Sequence, residues 1–325
     1  MVVLTGFLGI LIKKRYNRGN LQIWVNTMLK DDILKLKEEK NAIILAHYYQ
    51  DADIQDIADY VGDSLELSKI AAKTAAKMII FCGVNFMAET AKILSPDKKV
   101  ILPVKEAKCP MAMMVTKEKL IEYKAKNPDR VVICYVNSYA DVKALSDVCV
   151  TSSNAEKIIM AYKDRKILYI PDKNLGLYLK DKYHLDIEVW PGFCCIHNNL
   201  KIDEVVSMKA KYPSAEVLIH PEAPLAVLRL ADFIGSTKGI VEYASHSMNK
   251  EFIIGTEEGI LHPLQKRNPE KVFHLLSPGL SCFDMKLTRL IDVYTALRDE
   301  TYEITVPEDV RIKAYESLKK MLEMS

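Results

Sequence analysis

Ile43-Ile44-Leu45-Ala46-His47, followed by Ala58-Asp59-Tyr60-Val61-Gly62-Asp63-Ser64, decides the fold because the pattern occurs three times. It returns as Val131-Val132-Ile133-Cys134-Tyr135 with Ser146-Asp147-Val148-Cys149-Val150-Thr151-Ser152. It returns again as Val217-Leu218-Ile219-His220 with Ala231-Asp232-Phe233-Ile234-Gly235-Ser236-Thr237. Each time a polar ring follows an apolar run, and a hydroxyl follows 17 positions later: His47/Ser64, Tyr135/Ser152 and His220/Thr237. The copies are offset by 88 and 85 residues. Short apolar runs of this kind suit parallel strands covered on both faces.

Working outward, each copy reads as β-α-β-α-β-α-β and then a cysteine-bearing loop. The expected strands of the first copy are Ala42–Ala46, Asp59–Gly62, Met78–Cys82 and Val100–Val104. Those of the second are Val131–Cys134, Val148–Val150, Ile167–Ile170 and Ile187–Trp190. Those of the third are Val217–Ile219, Asp232–Ile234, Phe252–Ile254 and Val272–Leu276. Alternation at this length predicts an α/β protein of three pseudo-threefold related three-layer αβα domains around a central site. The expected boundaries are 28–129, 130–214 and 215–305. Residues 306–325 should form an amphipathic helix packing back on the core, with Ile312, Tyr315, Leu318 and Leu322 as its stripe.

The chain has 325 residues and a net charge of +2, so no broad basic field suggests nucleic acid. Neither a P-loop nor a GxGxxG fingerprint is present. Seven cysteines without paired CxxC motifs argue for reduced thiols and a cytoplasmic protein. Residues 2–12 are mostly apolar and precede Lys13-Lys14-Arg15. The run is too short to span a bilayer and its charge lies on the wrong side for a secretory signal, so no stable membrane association is expected. Residues 1–27 read as an extension from a mis-called start, with Met28 leading into a helix over Asp31–Lys40.

In parallel sheets, ligands sit beyond the carboxyl ends of strands. The ring residues, the hydroxyls and the cysteines at 109, 194 and 282 all fall there, the cysteines again separated by 85 and 88. Three thiolates converging on one axis make a soft, anionic site suited to iron–sulfur or zinc, and three ligands leave one corner of a cluster open. Spacing does not choose between Cys194 and Cys195. Cys82, Cys134 and Cys149 lie within apolar runs and read as core. Ser64, Ser152 and Thr237 suit helix N-caps, and helix N-termini also hold anions. His197 could move a proton or fix a phosphate.

From about Asp31 to Ser325 the chain resembles the quinolinate synthase (NadA) family. The resemblance rests on Ala46-His47-Tyr48-Tyr49-Gln50, Gly62-Asp63-Ser64, Phe86-Met87-Ala88-Glu89, Lys108-Cys109-Pro110-Met111, Tyr135-Val136-Asn137-Ser138 and Thr151-Ser152-Ser153-Asn154-Ala155. Pro171-Asp172-Lys173-Asn174-Leu175-Gly176, His220-Pro221-Glu222, Gly235-Ser236-Thr237 and Gly255-Thr256-Glu257 extend it. It implies condensation of iminoaspartate with dihydroxyacetone phosphate to quinolinate, phosphate and water. It also implies a 4Fe-4S cluster held by Cys109, Cys194 and Cys282, with Gly192-Phe193-Cys194-Cys195-Ile196-His197 fitting the family pattern when Cys194 is the ligand. Substrate-binding positions fall on His47, Ser64, Tyr135, Asn137, Ser152, His220, Glu222 and Thr237, and acid–base or phosphate roles on Tyr49, His197 and Glu222. A transient contact with an aspartate oxidase or dehydrogenase would supply labile iminoaspartate. Family members often have Asn at Tyr48, His-Cys-Pro or similar at Phe193-Cys194-Cys195, and Cys at Ala223. The alternatives are another 4Fe-4S hydro-lyase, a redox-sensing or electron-carrying cluster protein, and a structural zinc site.

Overall fold

The computed structural model describes residues 18–325. Three sheets of four strands organise it, all strands parallel. β1 (Ala42–His47), β2 (Tyr60–Gly62), β3 (Met78–Cys82) and β4 (Lys99–Ile101) take the order β2-β1-β3-β4. β5 (Val131–Tyr135), β6 (Val148–Val150), β7 (Ile167–Ile170) and β8 (Ile187–Val189) repeat it as β6-β5-β7-β8. β9 (Glu216–Ile219), β10 (Phe233–Ile234), β11 (Glu251–Gly255) and β12 (Val272–Leu275) do so again as β10-β9-β11-β12. Helices flank each sheet, giving the expected three αβα units. The inner strands are buried almost throughout, which explains their unbroken apolar runs. In every sheet the chain leaves the first strand to one side and returns on the other. The crevice at that reversal is where ligands bind in such sheets, and His47, Tyr135 and His220 stand at its three occurrences.

One aspartate recurs with the repeat. Asp59, Asp147 and Asp232 accept the backbone N–H of Ile44, Val132 and Val217 through Oδ2, each at 2.8 Å. Their own amides donate back to the carbonyls of the same residues at 2.9, 3.0 and 2.8 Å. Each aspartate thus closes a two-bond ring just ahead of the second strand, extending the pairing where that short strand has no residues left.

Several element ends differ from expectation. β4 stops at Ile101, before Pro103, which has no N–H for a ladder. The N-terminal helix is continuous over Arg18–Glu39, so Met28 lies within it, and it packs against a helix at Leu290–Asp299. The apolar run 2–12 and Lys13-Lys14-Arg15 lie outside the described residues. No described helix is long and apolar enough to cross a membrane. A helix also follows each cysteine by eight residues, at Lys117–Lys126, Ile202–Lys211 and Leu290–Asp299. The final helix, Glu308–Glu323, buries Ala314, Ser317, Leu318 and Met321 against β6 and the helices Ala140–Lys143 and Asn85–Leu94. Its face is rotated from the expected stripe, and Ile312 is exposed.

The first and third units interlock at the start of the candidate site. Gln55 Nε2 donates to the carbonyls of Tyr48, Gln50 and Gly259 at 2.9, 2.8 and 2.9 Å. A Cβ at Gly259 would stand 2.7 Å from Tyr48 O and 2.8 Å from Tyr49 Cα. Glycine is therefore what lets the third unit press on the Tyr48-Tyr49 backbone.

Candidate active site

The strand ends of all three units meet at one solvent-open cavity of about 650 Å³, its mouth included. His47 and Tyr49 enter it from the end of β1, Tyr135 and Asn137 from β5, and His220 and Glu222 from the turn after β9. The backbone turns after β1 and β9, so His47 with Tyr49, and His220 with Glu222, reach the cavity from turns. The ring itself helps make that turn. His47 Nδ1 accepts the Tyr49 amide at 3.1 Å, and His220 Nδ1 accepts the Glu222 amide at 3.4 Å. An accepting Nδ1 places the imidazole proton on Nε2. His220 Nε2 then donates to Ser152 Oγ at 3.2 Å.

Glu222 is the hub. His197 Nδ1 lies 2.8 Å from its carboxylate and His220 Nδ1 3.8 Å. The two imidazoles stack at 4.8 Å between ring centres. Burial works against ionisation of Glu222, yet His220, His197 and the Tyr135 hydroxyl facing it bring its pKa down to about 2. Burial pushes His47 and His220 down to about 3, outweighing the pull of Glu222. Burial, reinforced by Glu222, raises Tyr49 and Tyr135 well above the ordinary phenol value. At neutral pH Glu222 therefore stands ionised beside the neutral imidazoles of His47 and His220 and the protonated phenols of Tyr49 and Tyr135.

A second buried hydroxyl links these groups. Thr256 Oγ1 lies 2.7 Å from the Tyr49 hydroxyl and 2.9 Å from His197 Nε2. With Nδ1–H given to Glu222, the bare Nε2 accepts from Thr256, and Thr256 accepts from Tyr49. The chain Tyr49–Thr256–His197–Glu222 is continuous and runs from a cavity phenol to the cavity carboxylate. Thr256 is the one member not expected from the sequence. Its place within Gly255-Thr256-Glu257, directly after β11, was the available signal.

The three hydroxyls fare differently. Capping falls one residue earlier than expected in two units: Asp63 caps Ser64–Lys73 through Leu65 N and Glu66 N, and Ser236 caps Thr237–His246 through Gly239 N. Ser64 and Thr237 are first helical residues instead. Ser152 stands ahead of Ala155–Ala161, whose cap position is Asn154. Ser64 lines the cavity. Ser152 reaches it through His220, and Thr237 is buried beside Ser236. The helix starts do converge, because Ser153 Oγ donates to Asp63 and lies 2.8 Å from Ser236 Oγ.

Cys109, Cys194 and Cys282, one from each unit, line the same cavity, and Cys195 joins them. Burial raises the thiol pKa of all three, that of Cys282 to about 12. Cys194 Sγ lies 3.2 Å from His197 Nδ1. Donor atoms of Cys194, His197 and Glu222 all fall within 4.8 Å of one another, a group able to hold a metal ion. Cys82, Cys134 and Cys149 are buried in strands, as expected of core thiols.

Fold and site together define a threefold-repeated α/β protein with a metal-capable, acid–base-equipped cavity at its strand ends. The profile of the family described as Quinolinate synthetase A protein (NadA) matches residues 31–323. The chain belongs to that family. It is 53% identical over 295 residues to the quinolinate synthase of Clostridium kluyveri, covering 90% of this chain and 97% of the relative. It is 52% identical over 299 residues to that of Alkaliphilus metalliredigens, covering 92% and 99%. It is 50% identical over 294 residues to that of Clostridium perfringens, covering 90% and 98%.

Proposed function

We propose that the chain condenses iminoaspartate with dihydroxyacetone phosphate to give quinolinate, phosphate and water, with Cys109, Cys194 and Cys282 holding a 4Fe-4S cluster. The observation that carries this reading is the meeting of three thiols, one per repeat, with the Tyr49–Thr256–His197–Glu222 chain in one cavity. The donor set fits the cluster: the thiols are soft, unpaired with one another as disulfides, and come from equivalent loops. When bound, the cluster supplies a Lewis-acidic iron lacking a cysteine ligand.

The residues would divide the remaining work by their chemistry. Asn137 Oδ1 is buried at the wall without a hydrogen-bond partner, which suits a donor on the substrate. Ser64, His47, Tyr135 and His220 surround the substrate with donors, with Ser152 and Thr237 behind them. Glu222 takes a proton as the imine and enol form, and the Tyr49 phenol gives one. The Thr256 and His197 links then reverse their donors, so that the proton lost from Tyr49 is replaced from Glu222.

A second reading has its own observation. The compact Cys194, His197 and Glu222 group has the spacing of a single-ion site. Against it, both His197 nitrogens are already engaged, by Glu222 and Thr256. Anaerobic purification followed by iron, sulfide and zinc analysis separates the two readings. A quinolinate assay separates this synthase from another iron–sulfur hydro-lyase or a redox carrier. We also propose a cytoplasmic location and a transient handover of iminoaspartate from an aspartate oxidase or dehydrogenase. Undiminished flux with the two enzymes held apart by a membrane would argue against direct contact.

A further inference from the structure

Two residues beyond the end of the third strand, the three units carry Val84, Asp172 and Glu257. Each stands at the start of a helix, and the cysteine of its unit follows 25, 22 and 25 residues later. Asp172 and Glu257 are both completely buried. Asp172 Oδ1 accepts the Leu175 amide at 2.7 Å, which caps its own helix. Its Oδ2 accepts the amide of Cys194 at 3.1 Å. Glu257 Oε2 accepts the Gly259 amide at 2.7 Å, and its Oε1 accepts the amide of Cys282 at 3.0 Å. The division of labour is the same in both units, although one side chain is longer by a methylene. A cap needs one oxygen, and in both units the second is aimed at the cysteine.

Val84 has no acceptor to offer. Among the described residues the Cys109 amide has no carboxylate partner. That loop is tied by the Asn85 amide to Ala107 O at 2.9 Å and, one residue before the cysteine, by the Lys108 amide to the half-buried Asp284 carboxylate at a long 3.4 Å. Lys286 stands 3.2 Å from the Glu257 carboxylate and donates to Tyr49 O at 2.8 Å, so the third unit's clamp also reaches the Tyr49 arm.

We propose that Asp172 and Glu257 are positioning residues that fix the Cys194 and Cys282 loops for the metal group, while the Cys109 loop, with no buried carboxylate on its cysteine amide and only the long Asp284 contact beside it, is the more adaptable arm. This rests on the assignment of the three cysteines as ligands. A thiol on a free loop must be ordered each time it binds, and one on a clamped loop has already lost that freedom. Clamped ligands therefore retain the group longer.

The test uses full-length protein loaded with iron and sulfide under anaerobic conditions. Iron release to a chelating dye is followed for wild type, Asp172→Asn, Glu257→Gln and Thr116→Val. Asn and Gln keep one acceptor oxygen for the cap but turn an NH₂ toward the cysteine amide. Thr116 caps Lys117–Lys126 by accepting the Lys119 amide, so its variant loses a cap without touching a cysteine. Losing a buried hydrogen bond of this kind should speed release about 10-fold in Asp172→Asn and in Glu257→Gln, with Thr116→Val at the wild-type rate. Release at the wild-type rate from both clamp variants, with only their melting temperature lowered, overturns the proposal and leaves plain caps. If Asp172→Asn does not accumulate as folded protein, Glu257→Gln decides alone. Wild type that binds neither iron nor sulfide sinks the ligand assignment itself, a result distinct from loaded variants that release no faster.

Discussion

At the scale of residues, reactivity depends on where protons are held. Glu222 is kept ionised by the groups facing it, so Glu222→Gln should cut quinolinate formation by about 10²–10⁴-fold, the usual worth of a general acid–base group. The brown colour and iron content should stay. Thr256 tests the path: Thr256→Val separates Tyr49 from His197, and turnover should fall about 10–100-fold. Thr256→Ser restores the hydroxyl and should recover most of it, which a packing role for the methyl would not allow. The buried imidazoles set an acid sensitivity. His47 and His220 have native pKa values near 3, below the unfolded value of about 6.5. The unfolded chain binds more protons between those values, so stability is full above pH ~6.5 and is lost as pH falls toward 3. Glu222, depressed to about 2, adds a loss of the same sign below pH ~4.3. Urea unfolding of the metal-free protein should show stability falling between pH 7 and pH 5, and His47→Asn should flatten that slope.

At the scale of elements, the aspartate rings splice the second strand of each sheet to the first. Asp147→Ala leaves the Val132 amide without its partner and should cost about 1–3 kcal/mol, read from the urea midpoint. These aspartates lie within the quoted repeat, at offsets of 88 and 85, yet a surface aspartate before a strand has no distinctive pattern of its own. The strands were legible because both faces of the inner ones are buried and the apolar runs are unbroken. The helices after the cysteines were harder. Lys117–Lys126 buries only Leu120 and carries little apolar periodicity, whereas Ile202–Lys211 has a stripe in Ile202, Val205 and Met208 of which only Val205 is fully buried. Leu290–Asp299 was not expected either, although Leu290, Val293, Ala296 and Leu297 recur at helical spacing and are buried. The caps were misplaced by one residue because Asp63-Ser64 and Ser236-Thr237 each present two capable side chains in succession.

At the scale of the whole molecule, threefold repetition builds the cavity and departures from it supply the chemistry. His47, Tyr135 and His220 take equivalent places, but only the third unit follows its ring with a carboxylate two residues on. That unit also supplies Thr256, while His197 comes from the second and Tyr49 from the first, so the proton chain exists only when all three are docked. The repeat and its cysteines could be read from spacing. The chain itself could not, because it depends on distances between residues up to 207 positions apart. We propose above all that one thiol from each unit holds a cluster needed for synthesis of quinolinate. The most direct measurement is iron, sulfide and quinolinate formation in anaerobically purified wild type and Cys109→Ala. About four iron and four sulfide per wild-type chain are expected, with cluster and activity lost together in the variant. A colourless Cys109→Ala protein that still makes quinolinate at the wild-type rate would contradict it.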